Sequence, residues 1–172
     1  EYIAAVKGVF IVASLLLCVG TARLISAALP DELRSTPEGE LLAATGAAII
    51  SLCVPALYFA PRAMSENASA TAVVWGLAWL VDRRSTRRLL VAGASMLGLA
   101  VLFRLQSGIY CAGVLALLAV RRDWKSFQVV MTTLLVWAFF FGALDAATWS
   151  AAPGVKWGGW FHSAVVYIRF NF

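Results

Sequence analysis

Histidine, cysteine and charge are all scarce in this chain, and each scarcity removes a class of function. His162 stands alone, which excludes a histidine-rich metal site. Cys18, Cys53 and Cys111 each lie inside a separate apolar run. They offer neither a metal-ligand spacing nor a disulfide framework, and read as packing residues. Charged residues make up 13% of the 172 residues and hydrophobic residues 62%. Typical soluble domains carry about 25% and about 45–50%. A soluble fold of this size could not hide so much apolar side chain, whereas a bilayer solvates it directly. The mean hydropathy of +0.84 agrees. The formal charge of +5 is not a nucleic-acid footprint, because its arginines fall in short clusters between apolar runs, where membrane topology is set. No internal repeat, low-complexity tract or cleavable leader pattern is present. With apolar sequence close to both termini, the chain is expected to be a piece of a larger membrane protein.

What the chain does have is a series of apolar segments. A hydrocarbon core of about 30 Å takes about 20 helical residues at 1.5 Å each. Segments 2–29, 41–60, 61–81, 89–103, 107–120 and 127–144 predict an all-α fold, a polytopic transmembrane bundle of about six membrane helices across residues 1–145. Lys7 and Arg23 stand near enough to the ends of the first to snorkel. Residues 30–39 form a polar loop, Pro55 kinks the second segment, and Pro61 suits the first position of the third. The positive-inside rule places the basic loops 82–88 and 121–125 in the cytoplasm. Two loops on one side require an even number of crossings between them. Segments 89–103 and 107–120 therefore form a hairpin. Arms of about 15 residues span only about 22 Å, so the turn at Arg104-Leu105-Gln106 lies below the outer surface and can floor a wet cleft. The same parity puts 30–39 inside, and 61–66 and everything from Asp145 onward outside. Asp145 ends the last apolar segment. Residues 146–172 hold Trp149, Trp157, Trp160, Phe161 and Tyr167, and predict an outer-face interfacial segment with a short helix from Trp160.

The outer-side polar residues are Arg62, Glu66, Arg104, Gln106, Asp145, Lys156, His162, Arg169 and Asn171. Arg62, Glu66 and Ser69 fall on one face of a helix that starts at Pro61. An ionisable residue at membrane depth costs about 2.5–3.5 kcal/mol on insertion scales and is tolerated when paired or facing water. One reading is a polar cleft in which Arg62 and Arg104 bind phosphate oxygens through their planar forks. The plainer reading has Arg62 paired with Glu66 just outside the lipid, Arg104 snorkelling from a hairpin tip, Asp145 a solvated helix end and His162 an interfacial residue. The sequon Asn67-Ala68-Ser69 falls inside a predicted helix and is not expected to be glycosylated.

Several stretches together resemble a known family. Arg62-Ala63-Met64-Ser65-Glu66 resembles the Arg-Thr-x-Ser/Thr-Glu/Asn element of GT-C class membrane glycosyltransferases, in the branch of lumenal α-mannosyltransferases that build dolichol-linked oligosaccharides and GPI anchors. Phe103-Arg104-Leu105-Gln106 is similar to its Phe-Arg-x-Glu/Gln. Asp145-Ala146-Ala147-Thr148-Trp149 and Tyr167-Ile168-Arg169-Phe170-Asn171 look like its Asp-x-x-x-Trp-Gly and Tyr-x-x-Phe-Asn segments, with Ser150 standing where the pattern has Gly. The resemblance implies transfer of a sugar, mannose in that branch, from a polyprenyl- or dolichyl-phosphate donor to a glycan or lipid-glycan acceptor. It places the reaction at the periplasmic, extracellular or ER-lumenal face of an integral membrane protein. No metal site is expected, and the lipid-phosphate-linked sugar enters as donor substrate rather than as a cofactor. Substrate-binding roles are expected for Arg62, Glu66, Arg104, Gln106, Asp145 and His162, and the catalytic carboxylate is expected upstream of Glu1. The rival readings are a secondary transporter, with Arg62, Glu66 and Asp145 along a translocation path, and a structural membrane subunit.

Overall fold

The computed structural model describes residues 2–52, 65–82, 85–151, 155 and 157–171, and among them the chain is all-helical. Helix α1 is Tyr2–Ala28, α2 the single turn Asp31–Arg34, and α3 Pro37–Leu52. Helices α4 (Ser65–Val81), α5 (Arg87–Phe103), α6 (Gly108–Val120) and α7 (Trp124–Trp149) follow, with a 3-10 turn Leu105–Ser107 between α5 and α6. A second 3-10 turn, Trp157–Gly159, leads into α8, His162–Asn171. Among the described residues, two helices are long and apolar enough to cross a membrane, α1 through its stretch Ile11–Ala28 and α7 over Trp124–Trp149. The 26 residues of α7 extend about 39 Å, whereas the 13 of α6 extend only about 20 Å.

Local chemistry sets the ends. Thr86 caps α5 by accepting the Leu89 N–H at 3.4 Å, and Asp123 caps α7 by accepting that of Ser126 at 3.1 Å. The loop expected over 30–39 is shorter than its composition suggested. Pro37 opens α3 directly, since its fixed φ and missing N–H suit a first helical position, and Glu38 and Glu40 follow in the first turn, where the helix dipole favours them. A second correction concerns α7, which does not stop at Asp145 but continues to Trp149. A carboxylate ends a helix when it needs water; this one is buried and has a protein partner, described below. Cys53, Pro55, Pro61, Arg62, Arg83, Arg84 and Lys156 lie outside the described residues.

The helices meet where side chains are smallest. At the α4–α5 crossing, a Cβ on Gly76 would lie 2.9 Å from the Gly93 carbonyl oxygen, and one on Gly93 would lie 3.0 Å from that of Gly76. Only hydrogen at both positions permits so close an approach, and the Leu97 and Leu80 side chains pack directly against the two glycines. Leu97, Ala94 and Ala100 of α5 and Val130 of α7 are completely buried around it. Polar side chains join α1 to α4. Asn67 donates to Ser14 Oγ at 3.0 Å, Thr71 to the Ala13 carbonyl at 3.0 Å, and the Trp75 indole to the Leu16 carbonyl at 2.9 Å. The outward faces of α1 and α7 leave Leu15, Val19, Leu135, Val136 and Phe139 exposed.

Candidate functional site

Arg104 breaks the apolar run of α5. Its backbone is extended (φ −149°, ψ 114°), while its N–H still bonds the Ala100 carbonyl at 2.9 Å. The chain then turns through Leu105–Ser107 and returns as α6, so 87–120 is a hairpin rather than one continuous helix. Ser69 of α4 pins this turn. Its hydroxyl donates to the Ala100 carbonyl at 3.1 Å and accepts from Ser107 Oγ at 2.7 Å, all within the buried interior. The depth of the turn follows from neighbouring contacts. Gly98 packs directly on Trp137, and Arg104 lies six residues above Gly98 while α7 rises twelve above Trp137. At 1.5 Å per residue α7 overtops the turn by about 9 Å.

Beside the turn lies a cavity of about 480 Å³ between α4 and α6. Glu66, Arg104, Gln106 and Tyr110 form its polar rim; Val73 and Ile109 continue it as apolar wall. Arg104 Nη1 reaches Glu66 Oε1 at 2.9 Å, with the side chains 35% and 46% exposed. A guanidinium has five N–H donors in a planar fork, and one carboxylate engages at most two. The pair therefore holds the cation at the cavity rim with donors to spare for a second anion.

Asp145 and His162 belong to a neighbouring cluster. Asp145 is buried, 7% exposed, and its two oxygens accept the Ser163 N–H at 2.8 Å and the Ser163 hydroxyl at 2.7 Å. It acts as an N-terminal cap for α8 supplied from another helix, with the carboxylate on the positive end of the dipole. This is neither the solvated helix end nor an open ligand group. His162 packs against Trp149 with the rings tilted by 44° and their centroids 5.2 Å apart. The reversal that brings α8 back uses left-handed backbone at Gly158 (φ 60°), Gly159 (φ 85°) and Phe161 (φ 53°). Gly159 also sits where a Cβ would lie 2.9 Å from the Ser150 nitrogen. From α8, Tyr167 accepts a hydrogen bond from the Gln106 amide, tying the cap cluster to the hairpin turn.

The structure thus brings Glu66, Arg104 and Gln106 to one cavity and sets Asp145 and His162 in the aromatic cluster beside it; Arg62 lies outside the described residues. Ser107, Tyr110, Ser163 and Tyr167 were not singled out as site residues from sequence. Tyr110 had one legible signal: it follows Gln106 by one helical turn. No group of three or more potential ligands for a metal ion occurs among the described residues.

Among the described residues, these features define an all-helical chain with two membrane-length helices and a polar cavity at one end of the helix assembly. Comparison with protein-family models, curated proteins and solved structures finds no match to this chain.

Proposed function

We propose that this chain is the donor-binding part of a polytopic GT-C-like glycosyltransferase. It moves a sugar, mannose by the resemblance, from a polyprenyl- or dolichyl-phosphate carrier to an acceptor at the outer or lumenal face. The observation that carries the reading is Arg104, held by Glu66 on the rim of a cavity whose wall turns apolar below it. A ligand suited to that cavity is amphipathic and anionic at one end, as a lipid phosphate is. In the displacement, the acceptor oxygen bonds the anomeric carbon as the bond to the phosphate oxygen breaks, and the acceptor proton passes to a carboxylate base. Arg104 meets the negative charge that gathers on the departing lipid phosphate, where a prepositioned cation stabilises the transition state most. Arg62 is assigned to the same phosphate on the resemblance alone. Glu66 orients the guanidinium and is not the base. Asp145 and His162 set the position of α8 over the turn. A transporter reading calls for ionisable groups along a path between the helices, whereas the Arg34–Asp82 and Arg104–Glu66 pairs lie at the two helix ends.

The test is transfer from a synthetic polyprenyl-phosphate mannose by the purified complete protein, with monodispersity in detergent as the folding control. Transfer from the lipid-linked donor is expected. Turnover of a nucleotide sugar alone, with none from the lipid donor, would overturn the class.

A further inference from the structure

Ionisable residues mark how much hydrocarbon each helix can cross, and the central helices allow less than α7 does. Glu66 and Asp82, at the two ends of α4, stand sixteen residues apart, and so do Arg88 and Arg104 at the ends of α5, about 24 Å in each case. The return arm α6 is shorter still, with 13 residues or about 20 Å before Arg121. On α7, Lys125 and Asp145 stand twenty residues apart, about 30 Å, and Trp124 and Trp149 are exposed at its two ends as interfacial anchors. A hydrocarbon core of about 30 Å therefore fits α7 and exceeds the span of α4 and α5 by about 6 Å.

The packing of Gly98 on Trp137 sets the two spans side by side. Arg104 lies six residues above that contact and Asp145 eight, while Arg88 lies ten below and Lys125 twelve. The shortfall is thus about 3 Å at each end. Tilt does not absorb it, because tilting fits a long span to a thin membrane and not a short span to a thick one. Snorkelling needs free side chains, whereas Glu66 holds Arg104 at 2.9 Å and Arg34 holds both oxygens of Asp82. The adjustment falls to whatever touches the outside of α6, where Ile109 is 72% exposed and Val120 is 81% exposed. Tyr110, also exposed, puts an amphipathic ring within one turn of the hairpin tip, as at a lipid–water boundary.

We infer that the bilayer is thinned beside α4 and α6 to about 24 Å of hydrocarbon, while it keeps about 30 Å beside α7. The partner of the outward face of α6 is lipid, drawn in by about 3 Å in each leaflet. Outer headgroups then come down to the level of the hairpin turn, and the Arg104 cavity opens at the lipid–water boundary instead of within the hydrocarbon.

Cryo-electron microscopy of the complete protein in nanodiscs tests this through the spacing of the two headgroup layers on each side of the protein. In dioleoylphosphatidylcholine the spacing beside α6 should be smaller than that beside α7 by about 6 Å. The longer chains of dierucoylphosphatidylcholine should widen the difference, and the shorter ones of dimyristoylphosphatidylcholine should narrow it. Equal spacing on both sides in all three lipids, or another helix of the complete protein seated on Ile109 and Val120, would overturn the inference. Thinning needs no turnover. A thinned bilayer around a protein that transfers no sugar would support it and count against the transferase reading alone.

Discussion

Among the described residues, two arginine–carboxylate pairs lie one at each end of the helices, and they are built differently. Arg34 of α2 forks onto both oxygens of Asp82, Nη1 to Oδ1 at 3.0 Å and Nη2 to Oδ2 at 2.7 Å, with side chains 21% and 23% exposed. Arg104 touches Glu66 through one nitrogen, is more exposed, and faces a cavity. The first arrangement is a clasp. It fastens the turn after α1 to the end of α4, and the carboxylate is matched to the fork. The second is a cation held in place with its hydrogen-bonding capacity partly unspent. Residue type alone does not separate them; geometry and the adjoining space do.

The comparison breaks most sharply on activity. Arg104→Ala should lower transfer by about 10²–10³, the range for losing one donor to transition-state charge, about 2.7–4 kcal/mol. Arg104→Lys should recover part of that, since an ammonium supplies charge without the planar fork. Rates per folded molecule, measured with the lipid-phosphate donor, check both. Asp145→Ala comes next. Loss of a helix cap typically costs about 0.5–2 kcal/mol, so α8 should exchange backbone hydrogens faster than in wild type while α4–α6 are unchanged. Arg34→Ala should lower thermal stability in detergent by up to about 1 kcal/mol, the scale of a partly exposed pair, and leave transfer per folded molecule intact.

The smallest effect is one of pH. Hydrogen bonds from Ser126, its side chain first and then its N–H, hold Asp123 below its ordinary value, the more so beside Lys125. A depressed carboxylate contributes stability above the ordinary range near about pH 4, and that contribution is lost as pH falls through the lowered value. Asp123→Asn should flatten this part of an acid-unfolding profile. Arg34 behaves oppositely: the Asp82 hydrogen bond raises it, so its contribution is present below the ordinary arginine value and lost only as pH climbs through the raised one. Unfolding followed from neutral to acidic pH should therefore show the Asp123 effect, while Arg34 itself stays charged throughout that range.

Much of the helix order was legible because apolar runs and charged breaks mark segment ends directly. The hairpin followed from arm length and loop charge, and the structure turns at Arg104. Boundaries that depend on a distant partner were not legible. Asp145 looked like a helix end because a lone carboxylate ordinarily needs water; Ser163, eighteen residues on, satisfies it inside the protein. Arg34 carried no sign that Asp82 would meet it. Ser69 was legible only as one member of a polar helix face and Ser107 as a small residue opening an apolar helix, yet together they fix the turn on which the site depends. Asn67, Ser69 and Thr71 do offer a usable signal, since polar residues spaced along an apolar helix mark the faces that meet other helices.

The claim that separates the two ends most directly is that the Arg104 cavity binds a lipid phosphate and the Arg34 clasp does not. Binding of a polyprenyl phosphate to the complete protein can be followed by native mass spectrometry for wild type, Arg34→Ala and Arg104→Ala. Wild type and Arg34→Ala should hold the lipid with equal affinity, while Arg104→Ala should bind it at least about tenfold more weakly, or about 1.4 kcal/mol. Equal binding by Arg104→Ala and wild type would contradict the account.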